Sequence, residues 1–275
     1  MRISTSSFSL HGSLGRPMYE GDPRRGQLIN SQAARDGLDL LELPTHLATH
    51  AIHTLELCHF HLPSVDEAYL AALRAALNDA GVELFSVLID AGDVGQADDA
   101  ARQADVAWMA AWIEIAARLG AGHARISPGH SPPEPAVIDR VAGELAGLAC
   151  AGREHGVRVI TENWHAFGRE ADALLAVLDA CDEPVGLCVD FGNAEGEGKY
   201  ELLAKLLPRA TSIHAKGRYD DAGRLDAAEL TRCLDMAGDA GFAGPVSLIY
   251  GQTHDEWTGL AELRQVVGRY APSRT

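Results

Sequence analysis

Three segments of the chain each end in a side chain that can bind a metal ion. They are Ile160 to Glu162, Leu187 to Asp190 and Ser212 to His214, each a mostly apolar run followed by a carboxylate or an imidazole. A fourth segment, Val246 to Ile249, has the same form without a ligand. The four endpoints are 28, 24 and 35 residues apart, a spacing typical of successive strand and helix units rather than of one metal-binding loop.

Two carboxylates and one imidazole form a mixed set of oxygen and nitrogen donors. Such a set suits Mn²⁺, Co²⁺, Mg²⁺ or Zn²⁺ rather than soft, thiophilic ions, and ligand type alone does not choose among the four. Each residue also has an ordinary structural alternative, because acidic residues after strands cap helices and an isolated histidine is commonly a hydrogen-bonded structural residue. Their joint occurrence on three consecutive strands favours a shared site.

The elements that position these residues alternate regularly along the chain. Apolar and helical periodicity predicts strands over 3–8, 54–60, 82–89, 123–127, 157–161, 185–189, 211–215 and 245–250. It predicts helices over 40–50, 66–80, 98–119, 135–155, 170–181, 200–207, 227–240 and 255–270. Strands joined by helical connections pair in parallel, since a parallel crossover needs about a dozen residues. We therefore expect an α/β fold, a single-domain (β/α)₈ TIM barrel over residues 1–275.

The rival architecture is an open, doubly wound parallel sheet. That fold usually has a glycine-rich phosphate turn after its first strand, and no G-x-G-x-x-G follows the first strand here. In a barrel, functional side chains gather at the carboxyl ends of the strands, where Glu162, Asp190 and His214 are all predicted to lie.

Several other residues are expected at this end of the barrel. Lys216 should share the strand face of His214 and is a candidate acid or electrostatic stabiliser, with a salt bridge as the ordinary alternative. His59 and His61, after the second strand, are candidates for binding substrate hydroxyl groups, as is Arg125 after the fourth strand. Trp164 could form a wall for a sugar ring or pack beneath a loop.

Composition excludes several classes of protein. The formal charge of −16 is scattered through the helices, so the surface should repel nucleic acids and anionic membranes. The chain has five cysteines without a C-x-x-C pair, which argues against a disulfide framework and a zinc finger. The start of the chain has no apolar signal region, and no stretch reaches the roughly 18 apolar residues of a spanning helix. We expect a cytoplasmic protein.

The strand-end segments resemble the xylose isomerase-like TIM-barrel superfamily of sugar isomerases and epimerases, over nearly the whole chain. The segments are Thr161-Glu162-Asn163, Val189-Asp190-Phe191-Gly192, Ile213-His214-Ala215-Lys216 and the join from Leu119-Gly120-Ala121 to Arg125. The resemblance implies a divalent metal, commonly Mn²⁺, bound by Glu162, Asp190 and His214. It also implies proton transfer beside a sugar carbonyl, with Glu162 as both ligand and candidate base.

The chain departs from the family pattern at three positions. The epimerases carry a second glutamate on strand eight, where this chain has Ile249; a histidine is common at the position of Asn193, and an aspartate at that of Gly217. These departures argue against a symmetric two-base epimerase. Three ligands plus water still hold a metal, since catalytic sites keep open positions. Asn193 is expected to contact substrate.

The leading hypothesis is a metal-dependent isomerase or epimerase acting on a keto-sugar or polyol. The first alternative is a metal-dependent dehydratase, such as an inosose dehydratase, which needs one base and one acid; Ile249 favours it slightly. The second is a barrel that binds sugar without catalysis. The related apurinic-site endonucleases need more histidine ligands and a DNA-attracting surface. The expected partner is a small sugar, with neither nucleic acid nor membrane, and the oligomeric state, including a homo-oligomer, stays open.

Overall fold

Eight parallel strands close into a barrel in a computed structural model that describes residues 1–19, 28–32, 37–252 and 255–271. The strands, numbered along the chain, are β1 Arg2–Ser6, β2 Arg16–Tyr19, β3 Leu28–Gln32, β4 Thr54–Cys58, β5 Glu83–Ile89, β6 His123–Ile126, β7 Arg158–Glu162, β8 Gly186–Asp190, β9 Ala210–Lys216 and β10 Pro245–Ile249. Strands β2 and β3 pair antiparallel outside the barrel, whose order is β1, β4 to β10 and back to β1. The predicted α/β fold and TIM barrel are confirmed.

Helices of the described residues alternate with the barrel strands. They are α1 His11–Leu14, α2 Leu43–Thr49, α3 Glu67–Asp79, α4 Asp99–Leu119, α5 Pro135–Glu154, α6 Ala171–Ala180, α7 Lys199–Leu206, α8 Ala227–Asp239 and α9 Glu256–Val267. The bounds of α2 to α9 agree with the predicted ones to within a few residues, whereas α1 was not predicted. None of the helices in the described ranges is long and apolar enough to cross a membrane.

Local side chains explain several helix boundaries. Asp98 accepts a hydrogen bond from the backbone N–H of Ala101 at 2.9 Å and so begins α4, while Asp226 caps α8 in the same way. Gly120 ends α4 in the left-handed conformation, with φ of 84°, which costs a glycine little. The two aspartates begin helices, and Gly120 turns the chain from α4 towards β6.

The first barrel strand is shorter than predicted. It ends at Ser6, whose hydroxyl accepts a hydrogen bond from the N–H of Phe8 and starts a 3-10 helix over Ser7–Leu10. The following segment contains α1 and strand β2 within its described part. Residues 20–27, between β2 and β3 in the chain, lie outside the described ranges.

The main core lies between the barrel strands and the surrounding helices. Its strand residues include Leu55, Leu57, Val87, Ile213 and Leu248, all 1% exposed or less. A smaller separate cluster, Phe85, Ile160 and Cys188, lies inside the barrel. All five cysteines are free thiols, as the absence of paired motifs predicted.

The inside of the barrel is largely polar. Alternate residues of each strand point inward, and these positions hold buried serine, glutamate and histidine side chains, namely Ser4, Glu56, Ser86, Ser212, His214 and Ser247. Barrel interiors are more commonly filled by Val, Ile and Leu. Beside the small apolar cluster, the interior therefore holds many polar groups, several of which hydrogen-bond with one another.

Candidate active site at the barrel mouth

A cleft opens at the carboxyl ends of the barrel strands and spans about 460 Å³, including space open to solvent. Seven of the nine residues predicted to form the site line it, namely Arg125, Glu162, Trp164, Asp190, Asn193, His214 and Lys216. Ile249 lines it as well. The other two predicted residues, His59 and His61, are not among the lining residues.

The three predicted metal ligands converge on one point of the cleft. Glu162 and Asp190 are the last residues of β7 and β8, and Asp190 lies in register with His214 on β9. The Nδ1 atom of His214 is 3.5 Å from Oδ2 of Asp190 and 3.8 Å from Oε1 of Glu162. Ligands about 2.1 Å from one ion are roughly 3.0 to 3.5 Å apart. The imidazole of His214 therefore lies within 3.8 Å of both carboxylates, and the two carboxylates would have to close around it to share a cation.

Backbone and amide groups fix the two carboxylates. Oδ1 of Asp190 accepts hydrogen bonds from the N–H groups of Gly192, at 2.6 Å, and Asn193, at 2.9 Å, which leaves Oδ2 facing His214. The side chain of Asn163 pairs with both backbone groups of Asp190. The amide of Asn193 donates to Oε1 of Glu162 at 2.8 Å. Asn193 therefore contacts the candidate base directly.

Arg125 is a buried cation beside Glu162. Its Nη2 donates to Asp90, and its Nε lies 3.0 Å from Oε2 of Glu162, in an ion pair without hydrogen-bond alignment. The guanidinium also lies over the ring of Trp164, 5.0 Å from its centroid. Buried Nη1 has no hydrogen-bond partner within the described residues. It can donate to an oxygen atom of a molecule bound in the cleft.

Lys216 reaches the cleft by passing directly over Gly192. A Cβ atom at position 192 would lie 2.5 Å from Cδ of Lys216 and 2.9 Å from its Cβ, so glycine leaves the room that the lysine stem needs. Lys216 is in register with Ile249 on β10. The lysine and the isoleucine therefore form one side of the cleft together.

Glu56, which lies beneath the predicted ligands, is a site residue that the strand-end pattern did not reveal. Its side chain is fully buried, and its Oε2 is 2.8 Å from Nε2 of His214 and 2.6 Å from Oγ of Ser247. The residue lies in the middle of β4, away from the strand ends. A signal was present, since a glutamate between Leu55 and Leu57 has an inward position on a strand of otherwise buried residues.

The electrostatic field of the site is negative. The cleft and the layer directly beneath it hold four carboxyl groups and two basic side chains, namely Glu56, Asp90, Glu162 and Asp190 with Arg125 and Lys216. With His214 neutral, these groups leave an excess of two negative charges. One divalent cation would balance them.

The pKa shifts follow from this crowding. Burial by itself would lower the pKa of His214, but the acidic side chains around the ring raise it well above its usual value. Burial raises the pKa of Glu162 despite the attraction of Arg125 and His214. Burial also opposes ionisation of Asp190, yet the hydrogen bond and charge of His214 keep the pKa of Asp190 below its usual value. Without a bound cation, His214 therefore carries a proton that a metal ion would replace.

Cys188 offers a second choice of donor. Glu162, Cys188 and His214 each present a ligand atom, and these atoms lie within 4.8 Å of one another. Burial raises the pKa of the Cys188 thiol to about 11, so the sulfur is protonated near neutral pH. A protonated thiol is a poor ligand for a hard ion, whereas the ionised Asp190 is a good one. By donor chemistry, Asp190 therefore suits a hard ion such as Mn²⁺ or Mg²⁺ better than Cys188 does.

The structure places His59 and His61 away from the cleft lining. A 3-10 helix over His59–His61 begins directly after β4, so the two-residue strand period no longer governs where these side chains point. The buried ring of His59 packs edge-on against Trp108 and Trp112, at 5.3 and 5.1 Å between centroids. His61 hydrogen-bonds Oγ of Ser7 at 2.8 Å. Both rings join β4 to neighbouring segments.

Among the described residues of β10 and the segment after it, no carboxylate takes the place of the strand-eight glutamate. Ile249 is 4% exposed, and the next residue, Tyr250, packs against Gly259 and Tyr219 rather than into the cleft. Glu256 accepts hydrogen bonds from the backbone of Gly12 and Ser13 instead. Within the described ranges, β10 and the residues after it contribute no acidic side chain to the cleft lining.

Fold and site together define a closed β/α barrel with a cation-compatible acidic cleft at its carboxyl end. The model of the xylose isomerase-like TIM barrel family matches residues 31–265. The chain belongs to that family. A search of functionally curated proteins returned no match.

Solved structures of similar fold include several sugar epimerases. The D-psicose 3-epimerase of Clostridium cellulolyticum H10, with D-tagatose, is 15% identical at a TM-score of 0.69, covering 98% of this chain and 99% of that chain. The 3-keto-D-glucoside 4-epimerase of E. coli is 16% identical at a TM-score of 0.66, covering 96% and 99%. A xylose isomerase-like protein of Mycobacterium smegmatis, in complex with magnesium, is 16% identical at 0.67, covering 97% and 95%. These TM-scores show a shared fold.

Proposed function

We propose that the protein is a divalent-metal-dependent sugar isomerase or epimerase that moves a proton beside a sugar carbonyl. The observation that carries this proposal is the convergence of Glu162, Asp190 and Nδ1 of His214 in a buried cleft with excess negative charge. The sugar epimerases among the structures of similar fold support it. The substrate class is a neutral keto-sugar or polyol.

The metal would be held by Oε1 of Glu162, Oδ2 of Asp190 and Nδ1 of His214. Hard oxygen donors favour Mn²⁺ or Mg²⁺, with Co²⁺ and Zn²⁺ as weaker candidates, and the magnesium complex of a similar structure supports a divalent ion. When bound, the ion supplies Lewis acidity that polarises a substrate carbonyl. We expect Mn²⁺ to support the highest activity.

Glu162 is the proposed proton-transfer group. Burial raises the pKa of its carboxyl, which brings it towards the range that suits a general base at neutral pH. The amide of Asn193 and the guanidinium of Arg125 hold its two oxygen atoms in place. A base fixed in this way can remove a proton from the substrate and return it without reorienting.

The other side chains of the cleft bind and orient the sugar. Trp164 lines the cleft as an apolar contact for the sugar, and Nη1 of Arg125, which has no hydrogen-bond partner among the described residues, is the proposed donor to a substrate oxygen. Lys216 is placed to stabilise negative charge that develops on the carbonyl oxygen. Ile249 offers no base on its side of the cleft.

This asymmetry separates isomerisation from epimerisation. Epimerisation at one carbon needs a proton to leave from one face and return to the other, while a shift of the carbonyl between neighbouring carbons can use one base on one face. With Ile249 where the family's second glutamate would stand, the cleft favours the one-base reaction. It also permits dehydration, in which Glu162 removes a proton and Lys216 assists loss of a hydroxyl group.

The test follows solvent hydrogen and products together. Protein loaded with Mn²⁺ is incubated in D₂O with a panel of ketoses, aldoses and inososes, and NMR records deuterium incorporation and any deoxy-keto product. Deuterium at the carbon beside the carbonyl with net isomerisation supports the proposal, while a deoxy-keto product supports dehydration. Absence of both with the metal bound argues for the sugar-binding alternative.

Metal binding is tested separately from turnover. Asp190→Asn weakens the anionic ligand while keeping its size, so we expect Mn²⁺ binding by calorimetry to be lost or strongly reduced. Asp172→Asn, on the exposed side of α6, is the matched control. Wild-type protein that neither binds a divalent ion nor gains thermal stability from excess Mn²⁺ would exclude both metal-enzyme hypotheses.

A further inference from the structure

We propose that Glu56 is a positioning residue that fixes the ring orientation and the protonated nitrogen of His214. That Nδ1 of His214 binds a metal ion rests on the proposed function, whereas the hydrogen bond between Glu56 and His214 does not. Glu56 lies on β4 and His214 on β9, so the pair joins strands that are separated in the barrel by β1 and β10. We infer that Glu56 directs Nδ1 of His214 towards the mouth.

The geometry leaves each histidine nitrogen a separate task. Nε2 lies 2.8 Å from Oε2 of Glu56, below the cleft, and Nδ1 lies between Glu162 and Asp190, within it. A proton kept on Nε2 by the glutamate leaves the lone pair of Nδ1 free for a cation. Histidine ligands of metal sites commonly donate their second N–H to a carboxylate, which fixes the tautomer and strengthens the ligand.

A chain of serine hydroxyls holds Glu56 in turn. Ser247 donates to Oε2 of Glu56 at 2.6 Å, and the hydroxyls of Ser4 and Ser247 are 2.5 Å apart. Because the hydrogen of Ser247 is used on Glu56, Ser4 must be the donor to Ser247. The hydrogen bonds therefore run from Ser4 through Ser247 to Glu56, where they meet the one from His214.

A purely structural role explains this arrangement poorly. Glu56 is fully buried, and its second oxygen, Oε1, has no hydrogen-bond partner among the described residues. Such a half-satisfied carboxylate costs folding free energy, and an apolar residue of similar size would fill the space at lower cost. We infer that the carboxylate is kept despite this cost because it orients the ring of His214.

The first experiment reads the histidine ring directly. Protein with ¹⁵N-labelled histidine is studied by NMR with and without Zn²⁺, chosen because it is diamagnetic. We expect a proton on Nε2 in both states and the metal-induced shift on Nδ1. In Glu56→Gln, the amide can act as donor or acceptor, so we expect the Nε2 proton to be less firmly held. A metal-induced shift on Nε2, or an unchanged ring spectrum in Glu56→Gln, overturns the proposal.

The second experiment measures metal affinity, using Mn²⁺ as the probe. We expect Glu56→Gln to raise the dissociation constant by about 10- to 100-fold, as other losses of such partners do. Ser247→Ala should raise it less, and serves as a milder variant if Glu56→Gln folds poorly. Ser212→Ala is the matched control, because this buried inward serine on the strand of His214 has no hydrogen-bond partner among the described residues.

The outcomes distinguish the two proposals. If Ser212→Ala weakens Mn²⁺ binding as much as Glu56→Gln does, the effect is one of interior packing and the positioning role is wrong. If wild-type protein binds no divalent ion, the proposed function fails, and the positioning role is decided by whether the ring spectrum of the metal-free protein shows Nε2–H donated to Glu56.

Discussion

The two faces of the barrel strands differ in chemistry and, we infer, in task. On β4, Leu55 and Leu57 point outward into the main core, while Glu56 points inward to His214. On β9, Ile213 and Ala215 point outward, and His214 and Lys216 point into the barrel. Successive residues on one strand thus have different roles. The outward face holds the helices to the sheet, and the inward face carries groups suited to binding and chemistry.

This separation means that stability and activity should respond to different substitutions. Burial of outward apolar side chains supplies the main favourable free energy of folding. The inward polar groups contribute little of that kind, since hydrogen bonds and buried charges nearly offset their own desolvation. Variants of the two faces therefore test whether the division holds, and we order them from the largest expected effect to the smallest.

The largest effect is expected for the inward residue Glu162. Glu162→Gln keeps the volume of the side chain but removes the proton acceptor, so turnover should fall by about 10²- to 10⁴-fold. Thermal unfolding should change little, because the outward core is intact. Steady-state kinetics and calorimetry on the same preparation test both parts. Turnover near the wild-type rate would exclude Glu162 as the base.

An outward residue should show the opposite behaviour. Leu57→Ala removes a side chain that is 1% exposed, and we expect a loss of about 2 to 5 kcal/mol in the free energy of unfolding. Metal affinity at low temperature should stay near that of wild type. Ser212→Ala, an inward control without a hydrogen-bond partner among the described residues, should unfold at nearly the wild-type denaturant concentration. A large loss in the control would contradict the division.

A third test uses pH, because the histidines after β4 lie outside the cleft. Burial lowers the pKa of His59 to about 4, whereas the unfolded chain has the usual value near 6.5. As pH falls below about 6.5 the unfolded state takes up the proton first, so stability should decline until about pH 4, by roughly 3 kcal/mol. His61, whose pKa burial also lowers, adds to this decline. His214 does not add to this decline. Its folded pKa is raised, so below the unfolded pKa near 6.5 the ring is protonated in both the folded and the unfolded state.

Denaturant unfolding at several pH values measures that decline. His59→Gln should flatten the dependence between pH 6.5 and 4, since the titrating group is gone. His155→Gln, at a side chain that is 42% exposed, is the control and should keep the wild-type slope. An unchanged slope in His59→Gln would mean that other groups account for the acid sensitivity.

The smallest effect is expected for Lys216→Met. The methionine keeps the apolar stem over Gly192 but loses the charge, so the rate should fall about 10- to 100-fold, the value of one charge-assisted hydrogen bond. Mn²⁺ affinity should be nearly unchanged, because Lys216 is not a proposed ligand. Calorimetric titration and initial rates separate these effects. Loss of metal binding instead would show that Lys216 supports the site structurally.

Much of the fold could be predicted because it depends on periodic, local signals. The alternation of strand and helix patterns indicates the barrel, and the strand ends alone predict that Glu162, Asp190 and His214 lie close together, as they do. These inferences need only the chain order and the rule that parallel strands present their carboxyl ends at one edge.

What could not be predicted depends on strand register and local distortion. The pairing of Arg125 with Asp90 requires knowing which residues of β5 and β6 lie level in the barrel. The displacement of His59 follows from a 3-10 turn after Cys58 that strand periodicity does not reveal. The role of Glu56 could not be predicted because its partners, His214 and Ser247, are distant in sequence and meet it only when the barrel closes.

The close passage of Lys216 over Gly192 also restricts how the sequence can vary. The Cβ atom of any side chain at position 192 would clash with the stem of Lys216. The two positions therefore cannot both hold large side chains without a backbone shift. In a library randomised at both positions and selected for folding, glycine should be recovered at 192 wherever a long side chain occupies 216. The two positions should therefore covary among divergent members of the family, and a combination of large residues should be absent.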